Sequence, residues 1–77
     1  MRRVLAFYKF KPVAQPELLR DELDALGTKL GLKGTILLAT EGINGTLVGE
    51  TQALLKVRDV LTQQFGQVPF KWSDLDT

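Results

Sequence analysis

The alternation of apolar and polar positions predicts that the chain begins with a strand from Val4 to Phe10. Tyr8 and Phe10 fall on one face of this strand, and Leu5 and Phe7 fall on the other. Tyr8 and Phe10 are more often core residues than a stacking surface. Because both faces are apolar, we expect the strand to lie at the centre of its sheet.

Two later stretches have apolar residues every three or four positions, which is typical of helices with one buried face. The first helix is expected to begin near Pro16, a residue that suits the first turn, and to end at Gly31. The second is expected to be capped by Thr51 and to end at Gly66. The apolar stripes are Leu19, Leu23, Leu26 and Leu30 in the first helix, and Leu54, Val57, Leu61 and Phe65 in the second.

Three further strands are predicted at Thr35 to Thr40, Thr46 to Val48 and Val68 to Trp72. Between the first two of these, Asn44-Gly45 indicates a tight hairpin turn, because a type I′ turn needs positive φ at both central residues. The neighbouring residues Glu41 to Ile43 are not needed for such a turn, so the segment is also a candidate site.

The resulting order is strand, helix, strand, strand, helix, strand, which predicts an α+β, ferredoxin-like βαββαβ sandwich. We expect a four-stranded antiparallel sheet in the order 4-1-3-2 with two helices on one face, since right-handed crossovers place the first and third strands in the middle. Residues 1–77 are expected to form this single domain.

The composition removes several classes of function. The chain has no cysteine and no histidine, so it lacks thiolate ligands, a cysteine nucleophile and the usual base at neutral pH. We expect no metal, no cofactor and no catalytic residue. A net charge of +1 gives no overall attraction to nucleic acid or membrane. With no signal peptide and no membrane span, a cytoplasmic protein is expected.

The predicted topology brings Lys9 and Lys11 to the same end of the sheet as the Glu41–Gly45 loop and the N-terminus of the first helix. The simplest interpretation is turn chemistry plus a solvated pair between Glu41 and one of the lysines. However, the strand before the loop is continuously apolar, and Ile43 is expected at the tip of the loop. Burial of these side chains requires that both faces of the sheet are covered. The two helices cover only one face, so we expect part of the other to be covered by something else.

Two known uses of this architecture do not fit the residues. An acylphosphatase needs an arginine in the loop after the first strand and an asparagine on the second strand, but these segments read KPVAQ and TILLAT. An RNA-recognition motif needs aromatic residues on the third strand, which reads TLV. From the residues alone, the chain is a small αβ interaction domain.

Three segments give a more specific resemblance: FYKF at 7–10, GTILLATEGINGTLVG at 34–49 and FKWS at 70–73. Together they resemble the N-terminal, acylphosphatase-like domain of the rhodanese-related tRNA uridine hydroxylase family. In that family the domain precedes a rhodanese domain, whose cysteine is required for oxygen-dependent 5-hydroxylation of the wobble uridine in tRNA. The present chain has no cysteine, so the resemblance implies a non-catalytic domain without its oxidoreductase partner.

The resemblance also suggests roles for the candidate residues. The loop of Glu41, Gly42, Ile43, Asn44 and Gly45 would dock the rhodanese domain. Lysines would hold the tRNA backbone weakly, since phosphate contacts position a substrate without reading its sequence. The alternative is a stand-alone interaction domain that forms a weak homodimer through the open sheet face, and a residual phosphatase is a third class. The three lysines are Lys9, Lys11 and Lys71.

Overall fold

The computed structural model describes residues 1–74, and their strands and helices follow one another in the order that the sequence predicts. The first strand is followed by a helix, a hairpin of two strands, a second helix and a final strand. The elements are β1 (Arg2–Phe10), α1 (Pro16–Leu30), β2 (Lys33–Ala39), β3 (Gly42–Glu50), α2 (Thr51–Phe65) and β4 (Phe70–Asp74).

The four strands form one antiparallel sheet in the order β2-β3-β1-β4, which confirms the predicted order and the ferredoxin-like fold. β1 is central and pairs with β3 along its whole length, from Arg2 opposite Glu50 to Phe10 opposite Gly42. This register fixes which side chains share a face, because paired residues point to the same side of the sheet.

Both helices pack on the face that carries the odd-numbered side chains of β1 and β3. Leu5 and Phe7 are buried there against the stripes of α1 and α2, as the periodicity predicts. No helix in the described part of the chain is long and apolar enough to cross a membrane. The buried cluster consists of Leu5, Phe7, Leu19, Leu23, Ile43, Leu47, Leu54, Val57, Leu61, Phe65 and Val68.

The helix ends follow the sequence signals except at the start of α2. Gly31 and Gly66 end the helices with φ of 69° and 74°, values that suit glycine. The expected cap at Thr51 is wrong, because the N-cap is Glu50 and makes no capping hydrogen bond through its side chain. Instead, the hydroxyl and the backbone N–H of Thr51 both donate to the carbonyl oxygen of Met1.

The hairpin differs most from the prediction. β3 begins at Gly42 rather than at Thr46, and the turn consists of residues 40 and 41. Asn44 lies inside the strand with a negative φ, paired with Tyr8 on one side and Leu37 on the other. The predicted positive-φ turn at Asn44-Gly45 is therefore wrong, because two ladder partners hold this segment in extended conformation. β2 (Lys33–Ala39) begins two residues and ends one residue earlier than predicted, and β4 (Phe70–Asp74) lies two residues later than predicted.

Candidate functional site on the open face of the sheet

The sheet face opposite the helices is open and carries the even-numbered side chains of β1 and β3. Three large apolar side chains are exposed on it: Tyr8 at 53%, Phe10 at 74% and Leu37 at 64%. The Tyr8 and Phe10 rings meet edge to face, with centroids 5.3 Å apart and planes at 89°. An exposed apolar cluster of this kind is typical of a contact surface.

Shallow depressions lie on this face, among them one on each side of the Tyr8–Asn44 pair. The hairpin-side depression has a volume of about 300 Å³ and an apolar lining that includes Phe10, Leu37 and Ala39. The β4-side depression has a volume of about 480 Å³ and is lined by Tyr8, Asn44, Thr46 and Lys71, among others. The two depressions share Tyr8 and Asn44 and differ in the apolar side chains on the hairpin side and in Thr46 and Lys71 on the β4 side.

The hairpin is held against the segment that follows β1. The backbone N–H of Lys11 donates to the carbonyl of Glu41 at 2.9 Å, and the N–H of Val13 donates to the carbonyl of Thr40 at 2.9 Å. Gly42, with φ of 155°, packs so closely on the carbonyl of Lys9 that a Cβ there would collide with it. The hairpin end is therefore a fixed part of the sheet.

The predicted docking loop does not form one exposed surface. Ile43 is only 3% exposed and belongs to the core, so its expected position at the tip of a loop is wrong. The reason is the register, since Ile43 points to the helix-covered face. Gly45 is buried on that same face. Glu41 is exposed in the turn, and Asn44 is exposed on the open face.

The three predicted RNA-binding lysines also lie apart. Lys9 is opposite Ile43 in the register and so points to the helix-covered side, where it is half-buried. Lys71 is opposite Ala6 and points to the open face. Lys11 is exposed beyond the end of β1. Lys9 and Lys71 therefore cannot contact one ligand on a single face of the sheet.

Charge is divided between the two sides of the molecule, although the net charge is only +1. The open face carries Arg2, Lys33 and Lys71, with Glu41 beside its hairpin-side depression and, on the strands, the carboxylate of Glu50. That carboxylate accepts a hydrogen bond of 2.7 Å from the N-terminal ammonium group. This bond and charge, with a smaller contribution from Arg2, lower the pKa of Glu50. On the opposite side, α1 carries more acidic than basic residues: Glu17, Asp21, Glu22 and Asp24 against Arg20 and Lys29.

A third depression, of about 330 Å³, lies where an acylphosphatase would hold phosphate, between the loop after β1 and the start of α1. Its polar lining is two glutamines and Glu22, with no cation among the lining residues. The described residues also bring together no group of three His, Cys, Asp or Glu side chains that could hold a metal ion. This depression therefore has little attraction for an anion.

Sequence reasoning missed Leu37 and Thr46 as surface residues. Its preference for Tyr8 and Phe10 as core residues is wrong, because both are exposed on the open face. The alternation within β1 did contain the signal, because it placed Tyr8 and Phe10 on the face opposite Leu5. Because both faces of β1 are apolar, the sequence predicts that the helices cover one face but does not show which of the two it is.

Comparison with known proteins gives consistent matches. Residues 2–77 match a family model described as a UPF0176 acylphosphatase-like domain. A tRNA uridine(34) hydroxylase of Deinococcus radiodurans is 41% identical over 71 residues, covering 91% of this chain and 24% of the relative. Proteins of the same name from Prochlorococcus marinus and Brucella anthropi are 39% and 49% identical, over 94% and 77% of this chain and 24% and 19% of their own lengths. The chain thus spans about a quarter or less of these relatives.

Proposed function

This chain belongs to the UPF0176 acylphosphatase-like domain family, and on that basis we propose that it is the non-catalytic N-terminal domain of a tRNA-modifying enzyme. The reaction of that enzyme is the oxygen-dependent 5-hydroxylation of the wobble uridine, carried out by a rhodanese-like domain. The observation that carries this proposal is the match to three relatives named tRNA uridine(34) hydroxylase. A tRNA substrate places the protein in the cytoplasm.

The role of the domain is to dock the rhodanese-like domain and to help position tRNA. Docking uses the hairpin-side depression, where Phe10, Leu37 and Ala39 form an apolar surface beside Glu41 and Gly42. Two facts support this assignment. The helices leave this face uncovered, and about three-quarters of each of two relatives lies outside the region matched by the chain. Burial of an exposed leucine or phenylalanine would contribute about 1.5–3 kcal/mol.

A domain exchange tests the proposal. The matching segment of the Deinococcus radiodurans enzyme is replaced by this chain, and 5-hydroxyuridine in tRNA is measured by mass spectrometry in cells without another hydroxylase. We expect the chimera to restore the modification, and deletion of the segment to abolish it. A folded chimera without modification, or a deletion with the full modification rate, would contradict the proposal.

The docking surface is tested separately with matched leucine variants. Leu37→Ser removes an exposed leucine from the hairpin-side depression, and Leu18→Ser removes one from α1 that is 56% exposed. In the chimera, Leu37→Ser should lower the modification rate and Leu18→Ser should not. Equal effects of the two variants would show that docking does not use this surface.

The alternative is a stand-alone domain that dimerises weakly through the open face. The exposed side chain of Leu37 on the edge strand β2 favours it, since an edge strand with an apolar side chain is prone to pair with another chain. Sedimentation equilibrium of the 77-residue chain decides between them. A dimer that forms with increasing concentration and is lost in Leu37→Ser would support the alternative.

A further inference from the structure

We propose that the β4-side depression binds an unpaired nucleotide of RNA, with the base stacked on Tyr8 and the phosphate beside Lys71. Since this rests on the proposed function, the RNA in the cell is the substrate tRNA. The site lies on the opposite side of the sheet from the Lys9 side chain. It adjoins the apolar surface assigned to domain docking and shares Tyr8 and Asn44 with it, but of these two depressions only the β4-side one is lined by Lys71 and Thr46.

The shape of the depression suits a ligand of this size. Its volume of about 480 Å³ is within the range of about 300–1,000 Å³ typical of small-ligand sites. Its floor includes Ala6, whose small side chain lies on the open face between its Cα partners Thr46 and Lys71, so the open face is low between Tyr8 and Lys71. A flat base can therefore lie against the sheet there.

Tyr8 supplies the stacking surface. Its side chain is 53% exposed, and the edge-to-face contact with Phe10 at 5.3 Å supports the ring from one side. Aromatic side chains on an open four-stranded sheet are a recurrent way of binding unpaired bases. Stacking needs only an aromatic face, so it would accept different bases.

Asn44 and Thr46 supply hydrogen-bonding groups at the edge of the stacked base. Asn44 is the Cα partner of Tyr8, and Thr46 follows it on the same face of β3. A carboxamide both donates and accepts hydrogen bonds, and a hydroxyl does the same, so together they can pair with the edge of a base. Neither side chain makes a hydrogen bond to another described residue.

The charge of the open face favours a polyanion. Lys71 lines the depression itself, and Arg2 and Lys33 extend the positive charge toward the other end of the sheet. The negative charge of Glu50 reduces this positive charge only slightly, because its carboxylate forms an ion pair with the N-terminal ammonium group. The acidic side of the molecule is on α1, which faces away from this surface. An RNA strand is therefore attracted to the open face more than to α1.

These features favour RNA over a protein partner at this depression. The centre of a protein–protein interface is usually apolar and depleted of lysine. The hairpin-side depression has an apolar centre of Phe10, Leu37 and Ala39, whereas the β4-side depression adds the Thr46 hydroxyl and the Lys71 ammonium group to the Tyr8 ring and the Asn44 amide that the two depressions share.

The test uses the 77-residue chain and a short single-stranded oligouridylate, with binding followed by NMR at low salt. We expect shifts at Tyr8 and Asn44 and weak affinity that falls further at physiological salt. Tyr8→Ala should weaken binding by about tenfold, and Tyr8→Phe should retain it. Thermal unfolding of each variant shows whether the fold is kept.

Charge is tested with a pair of lysines. Lys71→Ala should weaken binding and lower the slope of log affinity against log salt by about 0.7, the value for one phosphate contact on a single strand. Lys56→Ala, at an exposed position on α2, is the matched control and should leave the affinity unchanged. Equal effects of the two lysine variants, equal affinity of Tyr8→Ala and the parent chain, or no binding at low salt would each overturn the assignment.

The chimeric enzyme separates this site from the proposed function. If the chimera modifies tRNA and Tyr8→Ala has no effect on its rate, the nucleotide site is wrong and the proposed function stands. The nucleotide site is also wrong if the remainder of the enzyme shields Tyr8 from solvent, because protein would then cover the depression. If the oligonucleotide binds as expected but the chimera is folded and inactive, the site stands and the proposed function is wrong.

Discussion

The ring of Phe7 lies against the backbone of Gly45, its partner on the neighbouring strand β3. A Cβ atom at Gly45 would stand 2.6 Å from Cζ of Phe7, closer than van der Waals contact allows. Phe7 is 4% exposed and lies beneath the helices, so it cannot easily move away. The glycine is therefore required for packing between strands rather than for a turn.

Gly45→Ala should consequently destabilise the protein by about 1–3 kcal/mol, the usual cost of adding volume to a well-packed core. Asn44→Ala, one residue earlier, should change stability by no more than about 0.5 kcal/mol, because its side chain is exposed and its φ is negative. Urea denaturation of both variants measures the two changes. A larger loss for Asn44→Ala than for Gly45→Ala would mean that the turn interpretation was correct.

The Asn44-Gly45 segment shows where prediction from the sequence fails. Asn-Gly between two apolar runs is a strong hairpin signal, because both residues tolerate the positive φ that a tight turn needs. The sequence shows only this local preference. The structure uses Gly45 for a contact with Phe7, a residue far away in sequence, and the turn forms at residues 40 and 41 instead. Such a contact depends on tertiary packing and has no local signature.

The fold was predictable because it depends on periodicity. The leucine stripe of α1 and the alternation in β1 each require one buried face, and only a few arrangements satisfy all of them together. The candidate site was less predictable. Lys9 and Lys71 are both predicted from the sequence to contact tRNA, but the β1 register places their side chains on opposite faces of the sheet.

We expect the 77-residue chain to hydrolyse no acyl phosphate, although its family is described as acylphosphatase-like. The depression beside the loop after β1 has no cation among its lining residues to bind phosphate, and it includes Glu22. The measurement is release of phosphate from an acyl phosphate substrate over a range of protein concentrations. Turnover that scales with protein and survives repurification would contradict this prediction.

Glu50 should titrate below its ordinary pKa, because its carboxylate is bonded to the N-terminal ammonium group. A lowered pKa in the folded state contributes stability at pH values above the pKa of the unfolded chain. That contribution is lost as the pH falls through the folded-state value. The carboxylate is exposed, so the effect on stability is small. NMR titration should show the pKa of Glu50 returning toward normal after acetylation of the N-terminus, and an unchanged pKa would contradict the ion pair.

The lysines at the hairpin end are tested in the chimeric enzyme. Lys11 is exposed and Lys9 is half-buried beside the helices, so the double variant Lys9→Gln/Lys11→Gln removes two charges while largely keeping the length of each side chain. If these lysines contact the tRNA backbone, the modification rate should fall while the thermal midpoint is nearly unchanged.

The matched control is Lys29→Gln/Lys56→Gln, which removes the same charge from exposed positions on α1 and α2. A rate that falls only in the Lys9/Lys11 variant means that tRNA lies along this edge of the sheet as well as over the open face. An equal fall in both variants would point to net charge alone, because long-range attraction depends on the total charge and is screened by salt. An unchanged rate in both would place Lys9 and Lys11 among ordinary solvated side chains. In that case, of the three lysines first considered, only Lys71 on the open face would remain a candidate for contact with RNA.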